Sequence, residues 1–253
     1  MANIRKNRVK HKLDRGELST MMMGQNTTDM VDFMGPLRFD SVLLESEHGP
    51  VDFADIAPLS RTCDIWDMTS IVRINFNNPS IIYRTLDLGA QGIMVPHINT
   101  AEEAKAVVNA AKFAPIGSRG SYTSRQGYGV EDYFSQANDE TLITILLEDI
   151  IAINNLSEIL KVDHIDAFYV APGDLAQSMG FVGQSSHPAV QDVVNKAITQ
   201  IISSGKVAGA LSNDENVESY INMGVKFLGI SWNNWVIDGG KRYLDKVGIV
   251  NAR

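Results

Sequence analysis

The chain has 253 residues, 44% of them hydrophobic and 21% charged, which is enough for one large core and too apolar for a disordered segment. Its 22 basic and 30 acidic side chains leave a net charge of -8, which disfavours nucleic acid and anionic membrane as partners. A single cysteine, Cys63, and five histidines exclude an intramolecular disulfide and Cys/His zinc frameworks, and no apolar run reaches the roughly 18 residues of a membrane span. The expected location is cytoplasmic.

Residues 1–17 carry Arg5, Lys6, Arg8, Lys10, His11 and Lys12. Asp14, Arg15 and Glu17 follow where a signal sequence would turn apolar, so the segment reads as a solvated basic helix, with docking on another subunit as the alternative. Eight short apolar runs come next: Leu18–Met23, Ser41–Leu44, Ser70–Ile74, Gly92–Val95, Thr144–Leu147, Ala167–Val170, Val207–Ala210 and Phe227–Ile230. Each pair leaves room for one helix, the pattern of βα units.

Thr100–Lys112 is predicted helical, with Thr100 as cap and Ala104, Val107, Val108 and Ala111 on one face. Residues 114–138, holding Gly117, Arg119, Gly120, Arg125, Gly127 and Gly129, form a long insert of the kind used as a lid, binding loop or subunit contact. Pro188–Ser203 is a second clear amphipathic helix, stopped by Gly205. Eight strands alternating with about eight helices predict a single-domain (β/α)₈ (TIM) barrel over residues 1–253. A doubly wound sheet is disfavoured because neither dinucleotide nor P-loop glycine pattern follows the first run.

Chemistry in such barrels sits at the C-terminal ends of the strands. There the chain places Glu45, Glu47 and His48 after the second run, Arg73 at the third, His97 after the fourth, Glu148 and Asp149 after the fifth and Asp174 after the sixth. Glu148 and Asp174 come from adjacent strands, and a divalent cation would relieve their repulsion; helix capping or pairing with basic side chains is the alternative. Arg73 requires an anionic partner, either a substrate or Glu45 or Glu47. His48 suits proton transfer near neutral pH or a purely structural role. Lys161, Lys206 and Lys226 precede strands, away from the mouth, which argues against a Schiff base.

Several blocks then fall in order: Phe39–His48 (FDSVLLESEH), Ile71–Arg73 (IVR), Leu86–Pro96 (LDLGAQGIMVP), Gly117–Gly120 (GSRG) and Tyr169–Leu175 (YVAPGDL). On these the chain, from about Phe39 to Asn234, resembles the HpcH/HpaI family of class II, metal-dependent 2-oxo acid aldolases, and more distantly citrate lyase β-like proteins. The resemblance implies a divalent ion (Mg²⁺, Mn²⁺ or Co²⁺) held by Glu148 and Asp174 and chelated by pyruvate or a close 2-oxo acid. It implies Arg73 on the keto or enolate oxygen, backbone N–H groups of the Pro172–Gly173–Asp174 turn on the carboxylate, and His48, oriented by Asp87, as acid and base. The implied reaction is cleavage of a 4-hydroxy-2-oxo acid to pyruvate and an aldehyde through a metal-stabilised enolate.

The implied assembly is a homohexamer, a trimer of dimers with the C-terminal helix exchanged between subunits, and the apolar tail around Trp232, Trp235, Val236, Ile237 and Tyr243 is compatible with it. Two positions depart from several characterised aldolases: Glu45 stands where they show Asp, and Leu146 where they show Gln. These departures leave room for other metal-enolate chemistry, such as oxaloacetate decarboxylation or acyl-CoA lysis, or for non-catalytic 2-oxo acid binding.

Overall fold

The computed structural model describes residues 3–25 and 27–248. Eight parallel strands close into one barrel in sequence order: β1 (Ser19–Gln25), β2 (Ser41–Glu45), β3 (Thr69–Arg73), β4 (Gly92–Val95), β5 (Leu142–Leu147), β6 (Ala167–Val170), β7 (Ala208–Leu211) and β8 (Phe227–Ser231). Pairing of β1 with β8, from Ser19 opposite Phe227 to Met23 opposite Ser231, shuts the cylinder. The (β/α)₈ barrel expected from the sequence is thus the observed fold. Strand boundaries coincide with the apolar runs at β4 and β6 and differ from the others by a residue or two, because pairing runs only as far as a neighbour offers hydrogen bonds.

Alternation along each strand explains why the runs are continuous. Val42, Leu44, Val72, Ile93, Ile145 and Val170 face outward under the helices. Met21, Leu43, Ile71, Met94, Leu146, Tyr169 and Phe227 fill the barrel axis. Both faces are therefore dry, as in other all-parallel sheets. Gly209 and Gly229 make room for Tyr169, since a Cβ at either would collide with its ring or hydroxyl.

The helices fall where capping and periodicity place them. Thr100 accepts from Glu103 N–H at 3.2 Å while Glu103 accepts from Thr100 N–H at 3.0 Å, a capping box that opens Ala101–Ala111. Pro188–Ser203 has the expected bounds.

The N-terminal expectation is corrected. The helix spans Arg8–Asp14, and it is not a solvated element: Val9 and Leu13 are buried in the axial cluster, plugging the barrel floor. Its basic side chains are paired, Arg8 and Lys12 with Asp40 at 2.9 and 2.8 Å, Lys10 with Asp166 and His11 with Glu140 at 2.9 Å. The charge run thus reads the acidic rim of its own barrel, which spacing along the chain does not reveal.

The 114–138 insert is likewise not a lid on its own barrel's mouth. It contains a short 3₁₀ turn, Arg125–Gly127, and the start of a helix, Tyr133–Glu140. Arg125 reaches Asp64 at 2.7 Å, and Gln126 donates to Gly89 O at 2.9 Å. Both partners lie where helices return the chain to the floor, so the insert packs low on the barrel wall. The C-terminal helix, Asn233–Val247, has no buried residue, and Val236, Ile237, Tyr243, Leu244 and Val247 are exposed along it.

Candidate active site

The C-terminal ends of β2 to β6 bring the polar residues of the mouth together. Glu45, last residue of β2, lies opposite Arg73, last residue of β3. Its Oε2 accepts from Arg73 Nε at 2.7 Å and stands 2.5 Å from Nη2. Its Oε1 accepts from the backbone N–H groups of Glu47 and His48 at 2.8 and 3.1 Å. One carboxylate therefore fixes both the guanidinium and the turn that carries His48. The ion-pair alternative for Arg73 is what the structure shows. Burial works against the guanidinium charge, but the hydrogen bond and charge of Glu45, with Glu47 behind it, keep Arg73 above its ordinary pKa.

Glu47 is the central carboxylate of the mouth, its side chain only 8% exposed. Its Oε2 is 3.2 Å from Arg73 Nε and 3.8 Å from His48 Nε2, and its Oε1 is 3.5 Å from His97 Nε2. Burial raises its pKa despite these three basic neighbours. His48 is 65% exposed and free to meet a ligand.

Glu148 follows β5 and has a nearly inaccessible side chain. Its Oε1 accepts from His97 N–H at 2.8 Å and lies 3.4 Å from His97 Nδ1. Burial pushes its pKa up, and the charges of Glu47 and Asp174 push in the same direction, against the hydrogen bond and charge of His97. Asp149, not Glu148, caps the next helix, its Oδ1 accepting from Ile151 N–H at 2.7 Å. Asp174 lies in the first turn of Pro172–Ser178, a helix without a side-chain cap. Among the described residues neither Glu148 nor Asp174 pairs with a lysine or arginine and neither makes a side-chain cap bond, although Asp174 does occupy the first helical turn, as the helix-end alternative places it.

The donor set fits a divalent cation. Glu148 is desolvated, and Asp174 lies near enough for its charge to add to what raises the Glu148 pKa, a pairing of like charges that a hard cation would relieve. Among the described residues no group of three or more His, Cys, Asp or Glu side chains is placed to hold a metal ion, so a cation would rest on two carboxylates, with its other positions taken by substrate and water. The first turn of Pro172–Ser178 also leaves the N–H groups of Gly173 and Asp174 without intrahelical acceptors, beside open space at Gly173.

Asp87 is corrected within this chain. It ends the helix Pro79–Asp87, which returns the chain to the floor before β4, and its Oδ1 accepts from Arg119 Nη2 at 2.6 Å. His48 stands at the opposite end of the barrel, where Glu47 is the neighbouring carboxylate. His97 and Glu47 form contacts to which the sequence reading gave no role. The positional signal was present, since both follow strand C-termini, but the left-handed backbone of His97, φ 55°, which turns its N–H onto Glu148, has no sequence signature.

A closed parallel barrel with its ionisable groups gathered at the strand C-termini defines a (β/α)₈ protein with the layout of an enzyme. The HpcH/HpaI aldolase/citrate lyase family model matches residues 19–234, and the chain belongs to this family. It is 33% identical over 231 residues to the 2-keto-3-deoxy-L-rhamnonate aldolase of Klebsiella pneumoniae, covering 88% of this chain and 86% of that one. It is 34% identical over 229 residues to the 4-hydroxy-2-oxovalerate aldolase of Novosphingobium aromaticivorans, covering 87% of each. Both relatives are aldolases by name, that is, carbon–carbon lyases. The crystal structure of an HpcH/HpaI aldolase/citrate lyase family protein from Burkholderia cenocepacia superposes with a TM-score of 0.89 at 24% identity, over 96% of this chain and 99% of that one, and shares the fold.

Proposed function

We propose that this protein is a metal-dependent aldolase that cleaves a 4-hydroxy-2-oxo acid to pyruvate, or a close 2-oxo acid, and an aldehyde. The observation that carries the reading is the Glu148 and Asp174 pair, two neighbouring carboxylates, neither with a lysine or arginine partner among the described residues, Glu148 being held by His97. Their oxygens would hold Mg²⁺, Mn²⁺ or Co²⁺, and a divalent ion supplies Lewis acidity at the keto oxygen of the substrate when bound.

The chain's own groups supply the rest. The free N–H groups of Gly173 and Asp174 receive the substrate carboxylate. His48 removes the proton of the C4 hydroxyl, the C3–C4 bond breaks, and the electron pair passes into the keto group. Arg73 stabilises the resulting negative charge on that oxygen. Its Nη1 is the edge left over, since Glu45 takes Nε and Nη2. A proton then returns to C3 and pyruvate leaves. Glu47, between both histidines and Arg73, holds these groups in register.

The uncovered apolar side of Asn233–Val247 supports a homo-oligomer, a trimer of dimers in which this helix contacts a neighbour, in a cytoplasmic protein. Sedimentation at several concentrations tests the assembly. The activity is tested by pyruvate release from 4-hydroxy-2-oxo acids of increasing length, coupled to lactate dehydrogenase, with EDTA and with metal restored. Activity abolished by EDTA and recovered with Mg²⁺, Mn²⁺ or Co²⁺ is expected. A loss of less than about tenfold in Glu148→Ala would overturn the reading.

A further inference from the structure

Beside the carboxylate pair the mouth opens into a groove of about 390 Å³. It begins at Pro172, two residues before Asp174, passes Leu211 and Ser231 at the ends of β7 and β8, and reaches Asn234 on the C-terminal helix. Pro172, Leu211 and Tyr220 give it an apolar side, its polar groups are amides and hydroxyls, and Glu215 is the one charged side chain lining it among the described residues. The continuation toward the C-terminal helix adds Asp214, Asp238 and a single ammonium, Lys241. The balance along the groove is acidic.

The wall groups are fixed, and their remaining polar atoms are unused. Asn213 Oδ1 accepts from the N–H groups of Glu215 and Asn216, both at 3.0 Å. Asn216 Oδ1 accepts from Asn213 N–H at 2.8 Å. Gln191 Nε2 donates to Ser185 O at 2.7 Å. These bonds tie the turns together and leave the amide N–H groups of Asn213 and Asn216, the carbonyl of Gln191 and the hydroxyl of Ser231 without a protein partner among the described residues, on side chains that line the groove. Arg73, the guanidinium of the mouth, is already held by Glu45 and Glu47.

We propose that this groove receives the aldehyde half of the substrate and selects a short, uncharged, hydroxylated chain over a carboxylated or phosphorylated one. The proposal rests on the aldolase reading and adds the class of the second product. An aldehyde hydroxyl exchanges water for the fixed amides and serines. A carboxylate or phosphate gives up hydration and faces Glu215, with Asp214 and Asp238 outnumbering the one ammonium, Lys241, in the continuation. The discrimination comes from like charge set against the wrong ligand.

The test is aldol addition by the full-length, metal-loaded protein, with pyruvate and four aldehydes: acetaldehyde as reference, glyceraldehyde, succinic semialdehyde and glyceraldehyde 3-phosphate. Glyceraldehyde is expected to exceed both anionic aldehydes in kcat/KM by about tenfold or more. Asn216→Ala should lower the glyceraldehyde-to-acetaldehyde ratio of kcat/KM about tenfold. Glu215→Lys, at an exposed position, should raise the succinic semialdehyde-to-glyceraldehyde ratio by a similar factor. Equal or better use of the anionic aldehydes by the unmodified chain, or ratios unmoved in both variants, would overturn the proposal while leaving the aldolase reading intact. No turnover of any aldehyde, acetaldehyde included, would overturn both.

Discussion

His97 holds Glu148 twice: its backbone N–H donates to Oε1 at 2.8 Å, and its ring Nδ1 stands 3.4 Å from the same oxygen. The backbone bond requires the left-handed conformation, φ 55°, which a side chain with a Cβ adopts at a cost of roughly 1 kcal/mol. His97→Gly keeps the N–H donor, relieves that cost and removes the ring. The expected outcome is a thermal midpoint equal to or above that of the unmodified chain, with Mn²⁺ affinity by calorimetry lowered about tenfold, as for loss of a group that orients a metal ligand. Unchanged Mn²⁺ affinity would show that the backbone bond alone positions Glu148.

Removing Arg73 has two separable consequences. It leaves Glu45 and Glu47, both largely buried, without their cation, so Arg73→Ala should destabilise the protein by about 3 kcal/mol in denaturant titration. It also removes the donor for the developing negative charge, lowering kcat by about 10²-fold or more. Arg73→Lys restores a charge without the planar fork, and should recover stability better than kcat.

The metal-free protein should respond to pH through Glu148. Its folded-state pKa is raised, with burial as the largest cause, so the folded state holds this proton to higher pH than the unfolded chain does. Between the two pKa values the unfolded state binds fewer protons, and stability falls as pH rises through that window. Metal binding requires the carboxylate, so Mn²⁺ affinity should fall on acidification at a pH above the ordinary glutamate range of about 4.3. Glu148→Gln should therefore raise the thermal midpoint of the metal-free protein at neutral pH and abolish the further rise on adding Mn²⁺. Differential scanning calorimetry with and without metal checks both.

The barrel floor should be separable from its mouth. Leu13 is buried among axial side chains at the end opposite the carboxylate pair, and Leu13→Ala should cost about 2 to 4 kcal/mol in unfolding free energy. Pyruvate release per folded molecule should stay within about twofold of the unmodified chain, as expected for sites this far apart. A large loss in kcat would show that the N-terminal plug is coupled to the mouth.

How much of this could be read along the chain follows from the range of each force. Gly92–Val95 and Ala167–Val170 kept their bounds as β4 and β6, and Pro188–Ser203 as a helix, because alternation, helical period and capping act within a few residues. The strand ends carrying Glu45, Arg73, Glu148 and Asp174 were legible for the same reason, once a barrel assigns catalysis to one end of its strands. Partner choice was not. Arg73 could equally have awaited a substrate until β2 and β3 placed Glu45 against it. Asp87 was matched with His48 until the helix Pro79–Asp87 carried it to the floor and Arg119. The basic N-terminal residues looked solvated until closure of the barrel set Asp40, Asp166 and Glu140 around them. The sequence by itself determined the barrel and the ring of ionisable residues at its mouth, since both follow from local pattern. Only the tertiary structure decided which charges are spent on each other and which are left without a lysine or arginine partner among the described residues, because Coulomb interaction and desolvation depend on distance and burial in space, and closure of the sheet sets both.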